Sequence, residues 1–210
     1  MTTLVKADGV SKSEWEQILD VFKKGGIIAY PTETFYGLGV DPFNESAVKK
    51  LFQLKGREPD KPIAILVKDK NVLLAVVEEI PPAAEKLIKK FWPGPLTIIF
   101  KAKREVPPSL TGNTGKIAVR ISSNPITQKL LETIDSPITT TSANPSGKKS
   151  PVTEKEVKDY FGDKIDLIID GGVLSGKLGS TIVDATELEL KIIRQGEIPA
   201  QTVFKAIMGR

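Results

Sequence analysis

The 210-residue chain contains neither cysteine nor histidine. Without thiols there is no cysteine nucleophile and no disulfide framework; without imidazole the usual neutral-pH base and almost every zinc or copper site are excluded. What remains is carboxylate, hydroxyl, amide, lysine and arginine chemistry, with which proteins position substrates and stabilise charge, and anionic substrates suit that set best. A strong charge imbalance is also lacking. Thirty Lys and Arg against 26 Asp and Glu leave +4, too mild a surplus to require a nucleic-acid partner. No stretch approaches the roughly 18 apolar residues of a membrane span, and no cationic leader precedes an apolar run, so the expectation is a cytoplasmic protein with no membrane partner. A hydrophobic content of 40% is ample for one packed core, and with no linker, repeat or shift in composition the reading is a single domain over 1–210.

Along the chain, apolar runs of strand length alternate with segments of helical period. Ser11 and Ser13 each start a capping box with Glu14 and Glu16, opening a helix with Trp15, Ile18, Leu19 and Phe22 on one face. Gly25-Gly26 stops it. Strands are predicted over 27–30, 36–40, 63–67, 96–100, 117–121, 138–141, 167–169, 181–183 and 192–194, and helices over 82–91, 125–134, near 153–161 and from Pro199. Residues 103–116 read as a long polar loop. The pattern implies one domain with helices packed on a mixed sheet.

Gly171-Gly172-Val173-Leu174-Ser175-Gly176-Lys177-Leu178 comes close to a phosphate-binding P-loop but fails twice. Leu178 stands where a magnesium-binding hydroxyl belongs, and residues 181–184 read as a strand, so no helix N-terminus is available to the phosphate. The segment is expected to be a glycine-rich turn between strands.

The segment Asn44–Leu54 is amphipathic, capped by Asn44, and closes on Lys55-Gly56-Arg57. Glycine there reads as a left-handed helix stop, from which two cations leave one corner. Alone, they would merely complement the helix dipole. Other polar segments have equally plain explanations one at a time: Thr32 and Thr34 as turn hydroxyls, Arg120 and Arg194 as solvated strand ends, Ser142 and Asn144 as turn residues. Glu33 reads either as a base or as a surface turn residue. Glu58 stands directly after Arg57, where it could pair with it and weaken its hold on phosphate.

Taken in order, the motifs are Pro-Thr-Glu-Thr at 31–34 followed by Tyr-Gly-Leu at 36–38, Lys-x-Arg at 55–57, Trp-Pro-Gly-Pro-Leu-Thr at 92–97, Val-Arg at 119–120, Thr-Ser-Ala-Asn-x-Ser-Gly at 141–147, Ser-Thr-Ile-Val-Asp at 180–184 and Ile-Arg-x-Gly at 193–196. This set resembles the threonylcarbamoyl-AMP synthase family, also called YrdC-like, across Gly26 to Arg194, in its short single-domain form. The resemblance implies an α+β, three-layer fold, with a strongly twisted mixed parallel and antiparallel sheet and flanking helices around a concave basic cavity. It implies that L-threonine, bicarbonate and ATP are joined into threonylcarbamoyl-AMP and pyrophosphate, for modification of the tRNA adenosine beside the anticodon. No enzyme nucleophile is needed, because the carbamate of threonine attacks the α-phosphate, which suits a chain without Cys or His.

Carried over by position, the resemblance makes Lys55 and Arg57 catalytic. It assigns ATP to Lys55, Arg57, Ser142, Asn144, Ser150 and Arg194, and threonine to Thr32, Arg120, Thr140 and Ser180, with Arg120 taking the carboxylate. Magnesium is expected to arrive with ATP, not in a dedicated protein site. Departures from the family pattern are Glu58, where many relatives have proline, and the lack of a histidine in 61–67. Expected partners are the three substrates and the downstream tRNA threonylcarbamoyl-transfer machinery, with room for weak RNA or tRNA binding. The rival readings are a non-catalytic RNA-binding module of the same fold and a carbamoyl-adenylating relative.

Overall fold

Local chemistry sets the helix boundaries. In the computed structural model, which describes residues 1–58 and 60–208, Ser11 accepts from the Glu14 backbone while the Glu14 carboxylate accepts from Ser11 N, and the helix Lys12–Lys23 (α1) follows. The strand Thr3–Lys6 (β1) precedes it, and Ile28–Tyr30 (β2) and Gly37–Gly39 (β3) come next. Asn44 Oδ1 accepts from Ala47 N and opens Glu45–Lys55 (α2), which ends at Gly56 with φ 60°. That left-handed conformation is why glycine stands there.

The strand Ala64–Leu66 (β4) leads to Lys70–Val76 (α3), Pro82–Phe91 (α4) and Leu96–Lys101 (β5). A short helix, Pro108–Thr111 (α5), lies within the segment expected to be all loop; Leu110 is buried there, and Gly112 ends the turn in a left-handed conformation. Then come Lys116–Arg120 (β6), Pro125–Ile134 (α6), Ile138–Ser142 (β7), Glu154–Phe161 (α7), a 3-10 turn at Gly162–Lys164, Leu167–Asp170 (β8), Thr181–Asp184 (β9), Lys191–Arg194 (β10) and Ala200–Met208 (α8). The glycine-rich segment between β8 and β9 contains no helix, as its failed P-loop pattern implies.

The strands form a ten-stranded mixed sheet in the order β1-β8-β2-β3-β7-β4-β6-β5-β9-β10. β1–β8, β2–β8, β4–β6 and β5–β9 are parallel pairs; the others are antiparallel. Alternation along the strands separates two cores. Ile65, Ile98, Phe100, Ile117 and Val119 join α2, α4, α7 and α8 on one face. Ile28, Tyr30, Leu66 and Ile138 join α1 and α6 on the other. Helices on both faces of a mixed sheet give the three layers expected.

No helix among the described residues is long and apolar enough to cross a membrane.

Candidate active site

The second face is only partly covered. Beyond α1 and α6 it carries Gly37 of β3, Thr140 and Ser142 of β7, Ala64 of β4, Ala118 and Arg120 of β6, Thr97 and Ile99 of β5 and Ile182 of β9, all lining a cavity of about 580 Å³. The period of two puts these on the side opposite Ile65, Val119, Ile98 and Val183. Glycine, alanine and threonine are too small to fill the space above the strands, so the sheet itself is the floor. The rim holds three guanidinium groups, from Arg57, Arg120 and Arg194, with Ser150 and Ser180 beside them.

Each arginine is held differently. Arg57 N donates to Phe52 O at 2.9 Å across the α2 terminus, and its guanidinium lies 5.7 Å from the Phe52 ring centre and donates to Pro62 O, leaving Nε buried without a partner. Arg120 is 5% exposed, and its Nη1 donates to Glu33 Oε1 at 2.8 Å, while its Nε is buried and unpaired. Glu33 Oε2 accepts from Ser122 Oγ. Arg194 donates through Nη2 to Ser180 O at 2.8 Å and through Nε to the same oxygen at 3.2 Å. Burial pulls the pKa of Arg57 below the ordinary guanidinium value, and burial followed by the charge of Arg120 does the same at Arg194. The rim is therefore short of negative charge, and an anion there relieves both desolvation and mutual repulsion.

The positions expected to bind ligand separate into a lining set and a supporting set. Arg57, Ser142, Ser150, Arg194, Thr32, Arg120, Thr140 and Ser180 line the cavity; Lys55 and Asn144 do not. Lys55 is 4% exposed, and its ammonium donates to Ser142 O and, at 2.6 Å, to Asn144 O, while its own carbonyl accepts from Ser146 N at 2.9 Å. In this structure the helix terminus faces the loop after β7, and the Lys55 ammonium latches that loop. Burial first, then the charge of Arg57, lowers its pKa to about 8. Asn144 is likewise turned into the loop, with Nδ2 donating to Pro145 O at 2.9 Å and to Lys148 O at 2.7 Å, which braces the segment carrying Ser142 and Ser150.

Thr32 touches the cavity, but its hydroxyl donates to Phe35 O at 2.7 Å and accepts from Thr34 N and Phe35 N at 3.2 Å. It builds the turn between β2 and β3. Thr140 lies against the buried Tyr30 hydroxyl, and Ser180 Oγ is hydrogen-bonded to Thr97 Oγ1 at 2.8 Å. Glu33, which the sequence presents as a base or a turn residue, here orients Arg120, while Thr97 and Ser122 carry no functional reading from sequence. Of these two, Thr97 lies within the 92–97 motif, whereas nothing in the sequence marks Ser122. Glu58 pairs with Lys61 at 2.8 Å, not with Arg57, so the feared neutralisation is absent.

The glycine-rich segment 171–180 closes one side. Tyr36 OH donates to Gly172 O at 2.8 Å, and Glu197 Oε1 accepts from Lys177 N and Leu178 N at 2.9 and 2.7 Å. A Cβ on Gly176 would lie 1.8 Å from Thr34 O, so only glycine lets this strap lie on the 31–34 turn.

The model of the family Sua5_yciO_yrdC, described as "Telomere recombination", matches residues 20–196. The chain belongs to this family. Among relatives of the Sua5/YciO/YrdC family, a threonylcarbamoyl-AMP synthase of Pyrococcus abyssi is 41% identical over 185 residues, which are 88% of this chain and 54% of that protein. A putative threonylcarbamoyl-AMP synthase of Methanocaldococcus jannaschii is 38% identical over 208 residues, 96% of this chain and 97% of that protein. The chain thus spans about half the length of one relative and nearly all of the other. The crystal structure of P. abyssi Sua5 complexed with L-threonine has a TM-score of 0.93 at 37% identity, covering 99% of this chain and 61% of that one. The YrdC-like fold expected from the motifs is the fold observed.

Proposed function

We propose that the protein is an L-threonylcarbamoyladenylate synthase, a nucleotidyltransferase that joins L-threonine, bicarbonate and ATP with release of pyrophosphate, for modification of tRNA. The observation that carries the reading is the pairing of two different anion receptors in one cavity: Arg120, held by an acid, and Arg57 and Arg194, without one among the described ion pairs. The naming of relatives as threonylcarbamoyl-AMP synthases and the threonine complex of the P. abyssi protein support the same reaction.

In this reading the threonine carboxylate lies against Arg120, with Thr140 and Ser180 meeting its remaining polar groups over the Ala64 and Ala118 floor. The amine adds to bicarbonate with loss of water to give a carbamate. A carbamate oxygen attacks the α-phosphorus of ATP, the bond from that phosphorus to the bridging oxygen breaks, and pyrophosphate leaves with the electron pair. Arg57 and Arg194 stabilise the charge that accumulates on the leaving group, and Ser142 and Ser150 hydrogen-bond the nucleotide. Lys55 and Asn144 hold the loop that presents those hydroxyls.

Magnesium belongs to the substrate as MgATP. No group of three or more His, Cys, Asp or Glu that could hold a metal occurs among the described residues, and the reading uses none. Catalysis rests on approximation and charge stabilisation, with no covalent enzyme intermediate.

The test is pyrophosphate release from MgATP with threonine and bicarbonate supplied together or singly omitted. Release is expected only with both; release indifferent to either overturns the reaction.

A further inference from the structure

We infer that Glu33 is a positioning residue that sorts the two anions within the cavity, keeping polyphosphate away from Arg120 so that this arginine is reserved for an amino-acid carboxylate. The inference rests on the proposed function and extends it, since the family motif alone left Glu33 as either a base or a turn residue.

The geometry favours a supporting role over that of a base. Both carboxylate oxygens are occupied, Oε1 by Arg120 Nη1 at 2.8 Å and Oε2 by Ser122 Oγ. Ser122 is wholly buried and its hydroxyl also accepts from Asn124 N at 3.2 Å, so the acid is tied to a rigid strand-to-helix junction. The side chains of Arg120 and Glu33 are 5% and 12% exposed, so little solvent screens the pair. Arg120 lines the cavity, whereas Glu33 does not; the acid supports the arginine from behind.

The consequence is an electrostatic division of one cavity. Arg57 and Arg194 have no acid among the described ion pairs, and they keep their full attraction for a polyanion. Arg120 and Glu33 together carry no net charge. A zwitterion still gains hydrogen bonds from the part of the Arg120 guanidinium that Glu33 leaves free on the cavity side, Nε itself being buried. A pyrophosphate group gains the same hydrogen bonds but meets the Glu33 charge with two or more of its own. Repulsion between unit charges several ångströms apart at the effective dielectric of such a site amounts to roughly tenfold or more in binding, and it multiplies with ligand charge.

The experiment compares wild type, Glu33→Gln and Ser122→Ala. Inorganic pyrophosphate binding is measured by titration calorimetry, and the apparent KM for threonine is measured at rising MgATP. Glu33→Gln is expected to bind pyrophosphate about tenfold more tightly or at a second site, and to make MgATP competitive with threonine. Wild type should bind one pyrophosphate and show a threonine KM independent of MgATP. Ser122→Ala, which keeps the charge but frees one oxygen, should leave pyrophosphate binding near wild type while raising the threonine KM. A merely structural Glu33 would weaken every ligand when removed and tighten none. Unchanged or weaker pyrophosphate binding in folded Glu33→Gln overturns the inference even if wild type makes the product. If instead wild type fails the threonine and bicarbonate requirement yet Glu33→Gln gains pyrophosphate affinity, the reaction falls and the charge sorting stands. Should Glu33→Gln not fold, a pyrophosphate affinity in Ser122→Ala that rises as far as threonine affinity falls overturns the charge argument, and unchanged pyrophosphate affinity supports it.

Discussion

Replacing Lys55 by methionine separates a latch from a ligand. The ammonium of Lys55 donates to the carbonyls of Ser142 and Asn144 at the end of β7, and methionine replaces its stem, one heavy atom shorter, while supplying no donor. Asn144 O loses its donor at a cost of about 1–3 kcal/mol, Ser142 O keeps the Asn144 N–H at 2.9 Å and loses less, and removing a buried charge returns part of that, so Lys55→Met is expected to destabilise the fold by about 1–3 kcal/mol in urea at neutral pH. The displaced loop carries Ser142 and Ser150, so the KM for ATP should rise at least tenfold while that for threonine changes less.

A pH signature accompanies this. Folded Lys55 releases its proton near pH 8 and the unfolded residue near its ordinary 10.5, so between these the unfolded chain binds more protons and stability increases with pH. Relative to Lys55→Met, wild type should gain up to about 3 kcal/mol across that window, and the neutral amine retains two N–H donors for the two carbonyls. Equal urea midpoints and an unchanged ATP KM would refute the latch. Loss of ATP binding from a variant as stable as wild type would instead restore Lys55 as a direct ligand.

Arg57→Ala should raise the KM for ATP by about 10–100-fold in steady-state pyrophosphate release, because it removes a charge-assisted contact from a poorly screened site, with threonine binding largely kept. Glu58→Ala removes an exposed pair with Lys61 and should alter neither the melting midpoint nor turnover measurably; a marked gain in ATP affinity would show that Glu58 does restrain Arg57. Gly176→Ala drives a Cβ onto the Thr34 carbonyl and should cost about 2–4 kcal/mol in chemical denaturation or expose the 171–180 strap to protease. Wild-type resistance in that variant would mean the strap lies elsewhere.

The fold was most legible where local chemistry marks an element at both ends. Asn44 and Gly56 bracket α2, Pro125 and Asp135 enclose α6, and the capping box at Thr153 announces α7. The elements not anticipated are short. β1 buries only Val5 of four residues, so it has no readable alternation, and α3 was announced only by Asp69, whose side chain accepts from Val72 N at 2.9 Å. α5 is one turn whose stability comes from Leu110 packing in the core, a tertiary effect absent from any local window.

The site shows the same division. Motif positions led to the cavity wall at eight of ten places, yet which atoms face it depends on contacts remote in sequence. Lys55 is drawn away by carbonyls 87 and 89 residues distant, and Glu33 meets Arg120 across 87. A sequence presents charges; the sheet order β3-β7-β4-β6-β5-β9 decides which of them share a space.

The central claim is tested most directly by a crystal structure with L-threonine and a non-hydrolysable ATP analogue together in the cavity. The account predicts the threonine carboxylate on Arg120, the phosphates between Arg57 and Arg194, and Lys55 still on the Ser142 and Asn144 carbonyls. Phosphate on Arg120, or either ligand bound outside the cavity, would contradict it.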